Sequence, residues 1–178
     1  MPTMTTPRPE LAPLIRAEWP KLKRFFESKT PAPDCYDLVQ KTLVAWIEKL
    51  DAGGVDDPRT YLWGIARFQV LRYLERKRPT AHFDSSIHAV GARSTTLGTR
   101  IDRRHQIIEA LRELPLDQQM AVELRFGEEL SLQETADALE VSLATVKRYL
   151  KSATEQLRES LGDVAGDLLG DVAAAYRG

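Results

Sequence analysis

Lys147, Arg148 and Lys151 lie in a nine-residue run, Leu143–Lys151, that contains no acid. Cations spaced three and four residues apart share one side of a helix, and such a side attracts polyanions. Arginine can hold guanine through two parallel hydrogen bonds, whereas lysine serves better as a point charge on phosphate. Arg148 is therefore the candidate reader of a base, and Lys147 and Lys151 are candidate phosphate contacts. Ser142, Ala144 and Thr145 complete the face, because the first turn of such a helix meets base edges and its free N–H groups favour phosphate. A second cationic segment runs from Arg67 to Arg78, with Arg67, Arg72, Arg76, Lys77 and Arg78 against the single acid Glu75. Tyr61, Trp63, Phe68 and Tyr73 interleave with Arg59, Arg67, Arg72 and Arg76. Aromatic faces that stack on unpaired bases, with cations along the backbone, are what single-stranded nucleic acid requires.

These residues need helices to position them. "LSLQETADALEVSLATVKRYL", Leu130 to Leu150, contains two short helical patterns. Ser131 with Glu134 three residues later forms a capping box, and Ser142 can cap the second helix. Ala136 is small where the helices would cross, and Leu132, Leu139, Val141, Val146 and Leu150 supply the apolar contacts of a helix-turn-helix. Glu140 occupies the turn, where a left-handed residue is usual and glycine is the least strained choice. Upstream, Leu14 to Phe26 has helical spacing, with Leu14, Trp19, Leu22, Phe25 and Phe26 as its apolar side. Asp34 is read as the N-cap of a helix from Cys35 to about Leu50, with Leu38, Leu43, Trp46, Ile47 and Leu50 buried. "DAGGVDDP" is a loop, and "RTYLWGIARFQVLRYLERKR" a further amphipathic helix. Ile101 to Leu114 is helical, and Pro115 opens a helix that runs to Phe126. No strand pattern stands out, so the chain is expected to be all-α.

The 178 residues allow one ordinary domain or two small ones. Residues 1–13 are proline-rich and read as disordered. Residues 14–78 form one helical unit. Residues 79–104, rich in Ser, Thr, Gly and Ala, read as a flexible linker. Residues 105–161 form the second unit. Residues 162–178, with Gly162, Gly166 and Gly170, read as a marginal tail. The net charge of −1 conceals its uneven distribution, since Gln106–Leu130 carries six acids and two bases. No apolar run is long enough to span a bilayer and the N-terminus lacks a signal-peptide core, so a cytoplasmic location is expected. One cysteine, Cys35, excludes an internal disulfide and a multi-cysteine metal site. His82, His88 and His105 are scattered, so no catalytic or metal-ligating constellation is expected, and no cofactor.

The order "DLVQKTLVAWIEKL", "YLWGIARFQVLRYLERKR", linker, "ALRELPLDQQMAVELRFGEELSLQETADALEVSLATVKRYLKSATEQLRE" resembles the extracytoplasmic-function (group 4) sigma factors of bacterial RNA polymerase. The resemblance covers roughly residues 14–160. It implies two helical domains, sigma region 2 and sigma region 4, joined by a flexible linker. It implies that the chain binds core RNA polymerase and directs promoter-specific initiation. The helix at Asp34 resembles region 2.2, which docks on the β′ clamp helices; Asp34, Tyr36, Asp37, Leu38, Gln40 and Lys41 are the implied contacts. Asp57–Arg78 resembles regions 2.3 and 2.4, which recognise the −10 element; Arg59, Tyr61, Trp63, Arg67, Phe68, Arg72 and Arg76 are implied there. Residues 106–160 resemble region 4, which contacts the β flap and reads the −35 element through Ser142, Ala144, Thr145, Lys147, Arg148 and Lys151. A further expected partner is an anti-sigma factor or, if the charge of the Asp34 helix is regulated, a Ser/Thr kinase.

Two departures stand out. The family opens region 2.2 with an acidic run and places a later Glu; here the run is Asp34, Cys35, Tyr36, Asp37, followed by Lys41. Asp37 and Lys41 stand four apart and can pair, so the face is less negative and docking on a basic surface is expected to be weaker. Thr42 adjoins Lys41, and phosphorylation there would add about −1.5 to −2 charges, making Thr42 a candidate phosphosite that restores the acidic face. Phe68 stands where many relatives have Asn. The rival reading is a stand-alone helix-turn-helix DNA-binding regulator, which would need neither the Arg-rich aromatic helix nor the linker.

Overall fold

The computed structural model describes residues 11–77, 100–162 and Gly170. Seven α-helices make up the described chain: α1 Leu11–Glu27, α2 Ala32–Ala52, α3 Pro58–Lys77, α4 Arg100–Glu113, α5 Leu116–Val122, α6 Leu132–Leu139 and α7 Leu143–Leu161. A π-helical turn, Glu123–Gly127, follows α5. No strand occurs among the described residues. The chain divides into two compact units, with the division between Arg76 and Lys77.

The N-terminal unit is built from α1, α2 and α3. Helix α1 starts at Leu11, so residues 11–13 belong to it rather than to a disordered arm; residues 1–10 lie outside the described residues. Pro20 sits inside α1. An interior proline costs about 3 kcal/mol, but Leu22, Phe25 and Phe26 are all fully buried, each contributing about 1.5–3 kcal/mol. Burial therefore outweighs the break. Leu14, expected on the apolar side, is 47% exposed.

Helix α2 begins three residues earlier than the sequence suggested. Pro31 is its N-cap residue, and Pro33 and Asp34 fall in the first turn. First-turn N–H groups have no intrahelical acceptor, so proline costs little there. Asp34 consequently is not a cap; its Oδ2 accepts a 2.6 Å hydrogen bond from the Tyr73 hydroxyl on α3. At the other end Gly53 ends α2 at φ 80°, ψ 177°, a conformation accessible essentially only to glycine. Trp46 Nε1 donates to the Pro58 carbonyl at 2.7 Å, holding the start of α3 to α2. Phe25 stacks edge-on to both Phe26 and Trp63, at 5.5 and 5.4 Å between ring centres.

Asp57 caps α3. Its Oδ1 accepts from the Arg59 and Thr60 N–H groups, each at 3.1 Å, and its Oδ2 accepts from the Thr60 hydroxyl at 2.6 Å. Those bonds, the Thr60 hydroxyl first, hold its carboxyl below the ordinary aspartate range.

The C-terminal unit packs α4, α5 and α6 against α7. Ile107, Ala110, Leu111 and Leu114 meet Val122, Ala153 and Leu157 in one cluster, with Phe126, Leu150 and Leu161 against it. Helix α4 takes in Arg100–Arg104, the end of the expected linker; residues 78–99 lie outside the described residues, as does the expected tail apart from Gly162 and Gly170. The α-helix expected to run to Phe126 stops at Val122 and widens into the π turn. Glu123, buried in that turn, accepts from Gln119 Nε2 at 2.9 Å.

Candidate nucleic-acid and polymerase interfaces

Helices α6 and α7 form the helix-turn-helix. Both halves of the capping box are present: the Glu134 N–H donates to Ser131 Oγ at 3.1 Å, and the Ser131 N–H to Glu134 Oε2 at 2.6 Å. Glu140 adopts the left-handed conformation, φ 53° and ψ 41°. The Glu140 N–H bonds to the Asp137 carbonyl and the Val141 N–H to the Ala136 carbonyl, at 3.2 and 3.0 Å. This is a Schellman termination with glutamate in the place glycine usually fills. Ser142 then caps α7, its Oγ accepting from the Thr145 N–H at 3.1 Å. Ala136, Leu139 and Val146 are buried at the crossing.

At about 100° per residue, Lys147, Lys151, Ala144 and Arg148 fall within an arc of about 100° on α7. All four are exposed, while Val146, Ala153 and Leu157 on the other side are buried. Four of the six residues expected to touch DNA here are thus brought together on one free face. The other two, Ser142 and Thr145, stand at its N-terminal edge with their hydroxyls bonded to each other at 2.9 Å.

Helix α3 divides the seven residues assigned to it. Tyr61, Phe68, Arg72 and Arg76 lie within an arc of about 80° and are exposed, Tyr61 by 39% and Phe68 by 55%. Arg59, Trp63 and Arg67 recur every four residues on the opposite side. Arg59 Nε lies 3.9 Å from Glu18 Oε1 on α1, and Arg67 is half-buried. Trp63 is fully buried against Phe25. Trp63 therefore offers no ring face to a base in this structure and supports α3 from within.

Helix α2 separates its assigned residues in the same way. Tyr36, Asp37, Gln40 and Lys41 point outward, and Lys41 Nζ pairs with Asp37 Oδ2 at 2.6 Å. The expected local cancellation of charge is present in the geometry. Leu38 is 1% exposed and faces the core, so it cannot be a docking contact. Thr42 is fully buried, its hydroxyl donating to the Leu38 carbonyl at 2.7 Å. A phosphosite at Thr42 is overturned by that burial: the oxygen is out of reach, and a dianion there would have to sit in an apolar core.

The sequence reading missed Val44, 55% exposed in the middle of the outward face of α2. It lines a groove of about 550 Å³ with Asp37, Gln40 and Lys41 of α2 and Arg72 and Arg76 of α3. The α2 face and the cationic end of α3 thus share one groove. Val44 is one residue off the apolar stripe, which was the available signal. Among the described residues no group of His, Cys, Asp or Glu is placed to hold a metal ion, and no helix is long and apolar enough to cross a membrane.

Comparison with known proteins agrees with this geometry. The family "Sigma-70 region 2" matches residues 14–80, and "Sigma-70, region 4" matches residues 104–157. The two matches together span about two thirds of the chain. No curated protein sequence matches it. Among solved structures, the fold is similar to the sigma factor RpoE of Bartonella quintana, solved in complex with the anti-sigma factor NepR. The TM-score is 0.64 at 21% identity, over 86% of this chain and 98% of that one. A helix-turn-helix with a free cationic face, a separate unit carrying an aromatic and cationic helix, and the matches of both units lead to one conclusion: the chain belongs to the sigma-70 family, as a sigma factor that binds core RNA polymerase and promoter DNA.

Proposed function

We propose that the two units divide promoter recognition and that α2 provides the docking surface for the polymerase. Ala144, Lys147, Arg148 and Lys151 read the −35 element from the major groove, with Arg148 on a guanine and the lysines on phosphates. Ser142 and Thr145 set the N-terminus of α7 against the backbone. Tyr61, Phe68, Arg72 and Arg76 engage the melted −10 strand, the aromatics by stacking and the arginines on its phosphates. Arg59 and Arg67 flank this surface.

Asp34, Tyr36, Asp37, Gln40 and Lys41, joined by Val44, meet the β′ clamp helices, and the C-terminal unit meets the β flap. The Asp37–Lys41 pair leaves this face less acidic than the family pattern. An anti-sigma factor, of the kind bound to the Bartonella relative, would act by covering the α2 face. The chain works in the cytoplasm, and the bond-making chemistry belongs to the polymerase.

The observation that carries this reading is the exposed arc of α7. Its test is binding of the chain with core polymerase to a promoter selected from random duplexes. Arg148→Ala should relax the preference at one G·C pair, a loss of about 1–3 kcal/mol there, while Lys151→Ala should weaken all sequences alike and lower the salt dependence. Equal behaviour of the two variants would contradict the assignment.

A further inference from the structure

Leu143 has no role so far. It is 37% exposed, and among the described residues of the C-terminal unit it is the one large apolar side chain that is exposed. Every other Leu, Val or Phe there is buried or partly buried. Leu143 is the first residue of α7, directly after the capping Ser142, and Ala144 beside it is exposed as well. By helical rotation Leu143 extends the arc of Lys147, Lys151, Ala144 and Arg148 to about 140°. It therefore stands at the leading end of the cationic face.

The side-chain hydroxyls at this end are already committed. Ser142 Oγ accepts the Thr145 N–H and is bonded to Thr145 Oγ1. What this end presents outward is mainly hydrocarbon, flanked by cations that draw it to a phosphate backbone. The major groove offers one apolar feature, the C5-methyl group of thymine.

We infer that Leu143 and Ala144 form an apolar reader of thymine methyl groups, so that the −35 element of this sigma factor contains thymines recognised by their methyls and not by hydrogen bonds. This rests on α7 being the major-groove helix.

The test uses the full chain with core polymerase. A preferred duplex is first selected from a random pool. Each thymine in its −35 element is then replaced by deoxyuridine, which removes only the methyl. Wild-type binding should fall roughly fourfold at one or two positions, the effect of exposing one buried methyl. Leu143→Ala should bind both versions of those positions equally, and Leu143→Met should keep the sensitivity. Because Leu143 is exposed, all variants should melt with the wild type. Deoxyuridine that changes nothing at any position, or a Leu143→Ala variant with the wild-type penalty, would overturn the inference. Failure to select any duplex preference at −35 would remove the major-groove reading itself, and is seen before deoxyuridine is introduced.

Discussion

Replacing Thr42 by aspartate, the substitution that would imitate phosphorylation, should unfold the N-terminal unit. Thr42 is fully buried in α2, on the side that also carries the buried Leu38, Val39, Leu43 and Trp46. Its hydroxyl is satisfied by the Leu38 carbonyl, an acceptor that a carboxylate can only repel. The least costly state for an aspartate there is the neutral acid. Keeping a carboxyl of ordinary pKa protonated at pH 7 costs about 4 kcal/mol, and burying the ion costs more. Small domains are stable by only about 5–15 kcal/mol, with units this short at the lower end.

Thr42→Val removes one hydrogen bond and should cost only about 1 kcal/mol. Trp19, Trp46 and Trp63 all lie in the N-terminal unit, so tryptophan emission during urea unfolding follows this unit alone. The expected result is a native-like midpoint for Thr42→Val and little or no folded baseline for Thr42→Asp at pH 7. The sign with pH is fixed. The carboxyl's pKa would be raised by burial, so the penalty is absent below about pH 4 and grows by about 1.4 kcal/mol per pH unit above it. A Thr42→Asp protein with the wild-type midpoint at pH 7, or stoichiometric phosphorylation of Thr42 in the folded chain, would refute the reasoning.

Asp57→Ala should destabilise the N-terminal unit by about 0.5–2 kcal/mol through loss of the α3 cap. Because the folded carboxyl is lowered, the advantage of wild type over Asp57→Ala should be full above the unfolded aspartate pKa and vanish as pH falls through the folded one, read from paired urea midpoints. Glu140→Gly should raise the melting temperature of the C-terminal unit, relieving about 1 kcal/mol of left-handed strain; a lower one would contradict a net strain at this turn. Tyr73, raised to about 12 by burial and then by its bond to Asp34, should ionise well above the ordinary tyrosine value of about 10 in an ultraviolet pH titration. Its contribution to stability is present below the unfolded value near 10 and is lost as pH rises towards 12; an ordinary titration for Tyr73, assigned through Tyr73→Phe, would contradict the buried bond.

The helices and the helix-turn-helix were legible because period and capping are local. Ser131 with Glu134, Ser142, and the left-handed demand at Glu140 all concern atoms within a few residues of one another. Helix orientation was not legible, because it depends on which neighbour covers which arc. Trp63, Leu38 and Thr42 were assigned outward roles and lie inside, while Val44 was passed over and lies outside. For α3 the sequence showed alternating aromatic and basic residues but not that four-residue spacing sends Arg59, Trp63 and Arg67 one way and Tyr61, Phe68 and Arg72 the other. The start of α2 was missed because Asp34 was read as its cap, although a first turn tolerates the prolines that precede it. The π turn at Glu123–Gly127 left no signal, since "ELRFG" is ordinary helical composition.

The most direct measurement is run-off transcription from a library of promoters by purified core RNA polymerase, with and without this chain. The expected result is initiation at a discrete promoter set only when the chain is present, with Phe68→Ala and Tyr61→Ala lowering strand opening, seen by permanganate, but not core binding. Sequence-specific binding to duplex DNA without polymerase, together with no effect on initiation, would contradict the assignment.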